Sequence, residues 1–256
     1  MKRIGIRYSA SVMIFLSILA LAYAVQMITA FEIVKSALAN KATAIVAGLF
    51  IYAAEILIVK KLLGSKKMLL WMPFGMNKIR SGILAFLLVV CLCTIFVRQF
   101  DPQKVFSGYD DLFTYLLVFL LNLVPSAMTE EWLFRFFPAV LVSQKSRLYA
   151  VLFYVGITFL FMLLHLPRHY MQGNMIGLQQ VFISGIAFLI IYQLTQNLAF
   201  VVLVHAFTNT AWFIYDSSSN WPYLYVAIAV VSLSWGFAAW VIKTRFTIGF
   251  FAKSNQ

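Results

Sequence analysis

Runs of 18 or more predominantly apolar residues recur along this chain, and no other feature of the sequence constrains its fold as strongly. A run of that length crosses the ~30 Å hydrocarbon core of a bilayer as one helix, which satisfies its own backbone hydrogen bonds. These runs predict an all-α polytopic membrane protein with about eight transmembrane helices. The predicted helices lie at about 9–30, 42–59, 82–98, 111–128 (continuing toward 143), 148–165, 176–195, 197–214 and 222–242.

The composition excludes a soluble globular domain. Hydrophobic residues make up 63% of the chain and charged residues 11%, whereas soluble domains carry about 45–50% apolar and about 25% charged residues. The loops between the apolar runs are short, and we see no internal repeat and no soluble appendage. Residues 1–256 are therefore expected to form a single polytopic membrane domain.

The net charge of +12 would suit a nucleic acid or another anionic partner, but the placement of the charges gives a different explanation. With the N-terminus inside, most of the twenty Lys and Arg residues fall in the predicted inner segments, including the cluster between Lys60 and Arg80. This bias is the positive-inside rule. We expect both termini in the cytoplasm and no nucleic-acid partner. The compact chain with short loops favours a prokaryotic plasma membrane.

Two carboxylates in the stretch "TEEWLFRFF" lie in an apolar segment with no obvious access to water. A charge at the bilayer centre costs about 2.5–3.5 kcal/mol on insertion scales, so each one needs a physical reason. Of the eight Asp and Glu residues, five lie in or beside loops, and Glu55 is close enough to Lys60 to reach the interface. Glu130 and Glu131 remain. One interpretation is that the fourth span ends near Ala127 and that both carboxylates lie at the water boundary.

The second interpretation pairs Glu131 with Arg135. These residues are four apart, the spacing at which opposite charges meet on one helix face. Pairing offsets much of the cost of burying both charges, and it leaves Glu130, about 100° around the helix, facing other surroundings. Glu130 is then either a solvated carboxylate or a functional group, as a general base or a metal ligand.

Two histidines lie in predicted spans. His165 ends the stretch "FLFMLLHLP", and His205 lies within "LAFVVLVHAFTNTAWF", with Asn209 four residues later on the same predicted helix face. His169, in "PRHYMQGN", is expected to face solvent. A lone buried His is usually a satisfied core residue. Two in separate spans, with Asn209 and the unexplained Glu130, favour a site, because carboxylate, imidazole and carboxamide groups can activate water and stabilise an oxyanion.

The predicted topology brings these groups to a similar depth. Counted from the inner turn at 144–147, Glu130 and His165 differ by about one helical turn, and His205 lies midway along an outward-running span. We therefore expect a catalytic site between the fourth, fifth and seventh spans. Since 111–143 would measure ~50 Å as one straight helix, we also expect a kink or break near Pro125, or an oblique first part. The side from which substrate and water enter stays open.

Three short motifs resemble those of the CPBP family of intramembrane proteases, also called the Abi or CAAX-protease family. "EEWLFR" is similar to its EExxxR motif, "FMLLH" to FxxxH and "HAFTN" to HxxxN, and the order along the chain agrees. The resemblance covers 110–215, which we expect to be a CPBP-like catalytic core. The residues that carry it are Glu130, Glu131, Arg135, Phe161, His165, His205 and Asn209.

The resemblance implies an intramembrane endopeptidase acting on peptide or protein substrates in or at the bilayer. Glu130 and His165 would activate water, His205 and Asn209 would hold the oxyanion, and Glu131 with Arg135 would support the site. The family is often described as metalloproteases, and Glu130, His165 and His205 would supply three zinc ligands. The chain lacks the HExxH zinc signature, so we expect water activation without an obligatory metal.

Two other functions fit parts of the sequence. The same ionisable residues could form a proton or ion relay in a small transporter, although no interrupted helices recur in matching halves of the chain. A non-catalytic immunity or scaffold protein could keep the fold, since relatives are known for roles in bacteriocin immunity. The motifs of the rhomboid, aspartyl and site-2 intramembrane proteases are not found in this sequence.

Overall fold

The computed structural model describes residues 76–100, 112–142, 147–171, 173–210 and 221–253, together with seven helical residues between 43 and 57. All regular secondary structure in these ranges is helical, which confirms the all-α prediction for this part of the chain. The α-helices are α1 (Met76–Phe100), α2 (Leu112–Asn122), α3 (Thr129–Glu131), α4 (Phe137–Val142), α5 (Arg147–Met171), α6 (Met175–Thr195), α7 (Leu198–Thr210) and α8 (Trp221–Lys253).

Five helical segments of the described residues are long and apolar enough to cross a membrane, which supports an integral membrane protein. The count of eight spans stays a prediction. The first predicted span, 9–30, lies outside the described residues, and the second is represented only by the seven residues between 43 and 57. The five segments are Met76–Phe96, Tyr115–Ala139, Leu148–Leu166, Met175–Thr195 and Tyr223–Ile242.

Of the seventh predicted span, 197–214, the structure describes the residues up to 210. Helix α7 has 13 residues in this part, or ~20 Å. Its start is set by Asn197, whose side-chain oxygen accepts a hydrogen bond from the Phe200 backbone N–H at 3.0 Å, as an N-cap residue does. The preceding residue, Gln196, has a left-handed φ of 49° and separates α7 from α6.

Residues 112–142 form one composite helix in which α2, α3 and α4 are joined by two π-helical segments, Leu123–Met128 and Trp132–Phe136. The expected interruption near Pro125 is therefore present as a change of helix type, without a break in the chain. Proline has no N–H to donate to the carbonyl four residues earlier, and a local π turn accommodates the lost bond.

The chain divides into two compact units. The first comprises Met1–Pro73 and Leu120–Leu189, and the second comprises Phe74–Phe119 and Ile190–Gln256. In the first unit, α5 packs on the second π segment and on α4. Helix α6 approaches α5 closely at Gly185, where an added Cβ would lie 3.0 Å from Thr158 Cγ2 and 3.2 Å from Phe161 Cδ1.

In the second unit, α1 packs against α7 and α8. Gly82 allows the close approach, because a Cβ there would lie 2.9 Å from the Phe200 backbone nitrogen. The Asn197 side-chain amide donates hydrogen bonds to the Lys78 carbonyl at 2.8 Å and to Ser81 Oγ at 3.1 Å. One asparagine thus caps α7 and attaches it to α1, which fixes the helix that carries His205.

Candidate active site

Among the described residues of the first unit, the Glu131–Arg135 pair is the most deeply buried polar feature. Arg135 Nε lies 3.2 Å from Glu131 Oε2, and the two side chains are 1% and 0% exposed. The pair confirms the predicted i, i+4 contact, and the Glu131 carboxylate is buried in protein and not exposed to solvent. A buried charge pair costs desolvation energy that its Coulomb attraction must offset, so removal of either partner would leave a buried charge without its counter-ion.

The Arg135 guanidinium also lies over an aromatic ring. Its Cζ is 4.8 Å from the centroid of the Phe161 ring, a cation–π contact that is stronger when desolvated. Phe134 packs edge-on against the same ring, at 5.0 Å between centroids and an interplanar angle of 67°. Phe161 belongs to α5, so this ring links the composite helix to the helix that carries His165.

Phe161 contacts His165 twice, through its backbone and through its ring. His165 Nδ1 lies 2.9 Å from the Phe161 carbonyl oxygen, and the two rings are 4.8 Å apart between centroids. Because a carbonyl oxygen can only accept, the proton of this hydrogen bond is on Nδ1. In a neutral imidazole the lone pair is then on Nε2, the atom available to take a proton or to bind a metal ion.

Glu130 is held separately from Glu131. It is half-buried, and its Oε1 accepts a hydrogen bond from Ser126 Oγ at 2.9 Å. Its carboxylate also attracts the Arg135 guanidinium, more weakly than Glu131 does. Two adjacent carboxylates therefore have different surroundings: Glu131 is fully buried against a cation, whereas Glu130 is partly accessible and is held by a neutral hydroxyl.

His205 and Asn209 lie in the second unit, on α7. His205 is 5% exposed, and Asn209 is exposed although it is only one turn further along the same helix. The expected same-helix spacing is present, but the two side chains differ in burial. Their meeting with Glu130 and His165 of the first unit stays a prediction.

His169 is not the solvent-facing residue that its polar neighbours suggested. It is half-buried, and a Cβ on Gly177 would lie 2.6 Å from its ring. The chain turns back between α5 and α6, with the Asn174 N–H donating to the His169 carbonyl at 2.9 Å. Close packing of this turn brings the ring against the first turn of α6.

The donor chemistry of the implied zinc set can be tested on the residues themselves. A carboxylate oxygen and an imidazole nitrogen are normal zinc ligands, and Glu130 and His165 Nε2 offer these in the first unit. Within either unit, no group of three or more His, Cys, Asp or Glu side chains among the described residues could hold a metal ion. The proposed third ligand, His205, belongs to the other unit, so the three-ligand set stays a prediction.

Two residues that support these side chains were not identified from the sequence. Ser126 was not predicted, because helical hydroxyls usually bond back to the carbonyl of the preceding turn. A hydroxyl one turn before an unexplained glutamate, directly after a proline, was the available signal. Asn197 stands immediately before an apolar run, which is the pattern of an N-cap residue. Its bonds to α1 depend on tertiary packing and have no signal in the sequence.

Comparison with known protein families gives one match, over residues 112–211, to the family described as type II CAAX prenyl endopeptidase Rce1-like. The match confirms the resemblance predicted from the three motifs, and its range includes all seven motif residues. At the level of the family it supports an intramembrane endopeptidase. No curated protein and no solved structure matches the chain.

Proposed function

Because residues 112–211 match the family described as type II CAAX prenyl endopeptidase Rce1-like, we propose that this protein is an integral-membrane endopeptidase in which Glu130 and His165 activate a water molecule. The observation that supports this most directly is the His165 Nδ1–Phe161 carbonyl hydrogen bond of 2.9 Å. It fixes the imidazole tautomer whose Nε2 is basic. A base of this kind contributes about 10²–10⁴-fold to the rate of a proton-transfer step.

The proposed reaction is hydrolysis of a peptide bond by this water. As the water oxygen attacks the scissile carbonyl carbon, one water proton moves to the Glu130 carboxylate or to His165 Nε2. The negative charge that develops on the carbonyl oxygen is stabilised by donors from His205 and Asn209. The abstracted proton then passes to the leaving amine as the C–N bond breaks, which restores the base that took it.

Glu131 and Arg135 have a supporting role in this proposal. Their pair is fully buried, so neither side chain is available to substrate, and the Arg135 guanidinium touches the Phe161 ring. Through Phe161, the pair holds the helix segment that orients His165. We therefore expect their replacement to affect folding first and catalysis second.

The proposal requires no obligatory metal. Zinc bound by Glu130, His165 and His205 would supply Lewis-acid activation of a water molecule, and the proposal differs from that alternative in a measurable way. Metal analysis of the purified protein, followed by cleavage assays with and without a chelator, separates the two. We expect cleavage to persist with chelator; a stoichiometric zinc whose removal abolishes cleavage would overturn the metal-free mechanism.

The proposed substrates are membrane-associated peptides or proteins, and the proposed location is a prokaryotic plasma membrane with both termini cytoplasmic. The family description names prenyl substrates, and a peptide panel can test that specificity here. Internally quenched peptides with and without a prenylated C-terminal CaaX sequence would be presented in detergent micelles. If the unprenylated peptides are cleaved as fast as the prenylated ones, the prenyl group does not determine the substrate specificity of this protein.

The decisive test of the activity uses Glu130→Gln and His205→Ala. Both variants are expected to insert and fold, and each is expected to lose at least about 100-fold in kcat because each removes a group that acts on the reacting atoms. His169→Ala is the matched control for the histidine variant. Cleavage at the wild-type rate in both site variants contradicts the proposal. Ion flux in proteoliposomes without any proteolysis would instead favour an ion relay.

A further inference from the structure

Ser126 lies outside the three motifs, yet it contacts the group proposed as the base. Its Oγ donates to Glu130 Oε1 at 2.9 Å, and both side chains are half-buried. We propose that Ser126 is a positioning residue that holds the Glu130 carboxylate for proton abstraction. This inference rests on the proposed function, since it acts on the same reaction through Glu130.

The direction of the Ser126 hydrogen bond differs from that of seven other hydroxyls of the described residues. These seven Ser and Thr side chains donate to a backbone carbonyl three or four residues earlier, which is the ordinary pattern in helices. Ser126 instead donates forward to a carboxylate. The seven are Ser81, Thr94, Thr129, Thr158, Thr195, Thr208 and Thr210.

The backbone around Ser126 is π-helical, and the Ser126 carbonyl already accepts a hydrogen bond. Ser126 lies within the first π segment, Leu123–Met128, where the backbone departs from α geometry. Its own carbonyl is occupied by Thr129, whose side-chain hydroxyl donates to it at 3.0 Å. The Ser126 residue therefore accepts from Thr129 through its backbone and donates to Glu130 through its side chain.

The contact has a chemical consequence for the base. A hydrogen bond to an ionised acceptor is roughly twice as strong as one between neutral groups, and a low local dielectric strengthens it further. With Oε1 engaged by Ser126, the carboxylate plane is fixed. A water molecule that gives its proton to Glu130 would then meet a carboxylate held in one orientation.

The test compares Ser126→Ala with Ser126→Thr in the full-length protein in detergent. Ser126→Ala is expected to lower kcat by about 10- to 100-fold, the loss that follows removal of one hydrogen bond to a charged group. KM is expected to change little, because the hydroxyl does not touch substrate. Ser126→Thr keeps the hydroxyl and is expected to recover most of the activity.

The controls separate this inference from the proposed function. Ser184→Ala makes the same replacement elsewhere in the first unit and is expected to leave kcat and Tm unchanged. Activity retained in Glu130→Gln would refute the proposed function itself. If Glu130→Gln is inactive, three results would refute the positioning role alone: wild-type kcat in Ser126→Ala, a change confined to KM, or Ser126→Thr as inactive as Ser126→Ala at equal Tm.

A chemical probe excludes the remaining role for this hydroxyl. A serine hydrogen-bonded to a carboxylate can act as a nucleophile when the carboxylate takes its proton. Incubation with a fluorophosphonate, followed by mass spectrometry of the intact protein, would reveal a covalent adduct. We expect no label on Ser126, and a stoichiometric label at that residue would overturn the positioning role.

Discussion

Replacing Glu131 by glutamine is expected to destabilise the protein far more than the same replacement at its neighbour Glu130. Glutamine keeps the size and shape of the side chain and removes only its charge. At position 131 this leaves the Arg135 guanidinium, which is 1% exposed, without the carboxylate that lies 3.2 Å from it. At position 130 the side chain is half-buried, and the amide oxygen of glutamine can still accept from Ser126.

The magnitude follows from the burial and the distance. Two unit charges about 4 Å apart attract by about 4 kcal/mol at an effective dielectric constant of about 20, and removal of one partner from a buried pair typically costs about 3–5 kcal/mol. The Phe161 ring, 4.8 Å from the guanidinium, offsets only part of this loss, since a cation–π contact contributes about 0.5–2 kcal/mol.

The assay is thermal unfolding of the detergent-solubilised variants, read together with peptide cleavage. At about 2–4 °C per kcal/mol for a chain of this size, Glu131→Gln should lower Tm by about 6–20 °C. Glu130→Gln should lower Tm by no more than a few degrees while it abolishes cleavage. The double variant Glu131→Gln/Arg135→Met removes both charges and should recover part of the stability lost in the single variant.

Two results would refute this reasoning. A Glu131→Gln variant with the Tm of the wild type would mean that the buried pair contributes nothing to stability. A double variant less stable than Glu131→Gln would mean that the unpaired guanidinium is not the source of the loss. Either result would also remove the physical basis for assigning different roles to the two glutamates.

Two further predictions test the packing that holds the site. Phe161→Leu should lower kcat about tenfold, because it removes the ring between Arg135 and His165; this loss is equivalent to ~1.4 kcal/mol of transition-state stabilisation. The control is Phe188→Leu, which removes another buried ring in the first unit. This variant should retain activity when rates are normalised to folded protein. Gly82→Ala should lower stability by about 1–3 kcal/mol, because its Cβ would lie 2.9 Å from a backbone nitrogen. Gly156→Ala has no atom within 4 Å of the new methyl group and should be neutral or stabilising by up to ~1 kcal/mol. Tm measurements check the glycine pair, and wild-type stability of Gly82→Ala would contradict the close α1–α7 contact.

The sequence predicted the apolar centre of each helix better than its ends. The third span was expected at 82–98, whereas α1 runs over Met76–Phe100. Its first turn carries Lys78, whose amine donates to the Gln196 carbonyl at 3.1 Å. Hydropathy detects residues that prefer lipid, so charged residues that continue a helix beyond the apolar run are assigned to loops. For the same reason the last predicted span, 222–242, is shorter than the helix, because α8 continues through Lys253.

For the candidate site, local contacts were predictable and distant ones were not. The Glu131–Arg135 pair follows from helical spacing alone, because both residues lie on one chain segment. The contact between Arg135 and Phe161 depends on how α5 packs against the composite helix, which no periodicity specifies. The tautomer of His165 is an intermediate case: its partner carbonyl is four residues away, but a helical backbone must form before the ring can reach it.

The positions of the two π segments explain how adjacent carboxylates acquire opposite surroundings. Glu130 is held by Ser126, four residues earlier in the first π segment. Glu131 is held by Arg135, four residues later in the second π segment. Ser126 gives Glu130 a neutral donor. Arg135 neutralises Glu131. A fully buried carboxylate in an ion pair cannot reach water, whereas a half-buried carboxylate can, so this arrangement favours Glu130 as the base and Glu131 as its buried support.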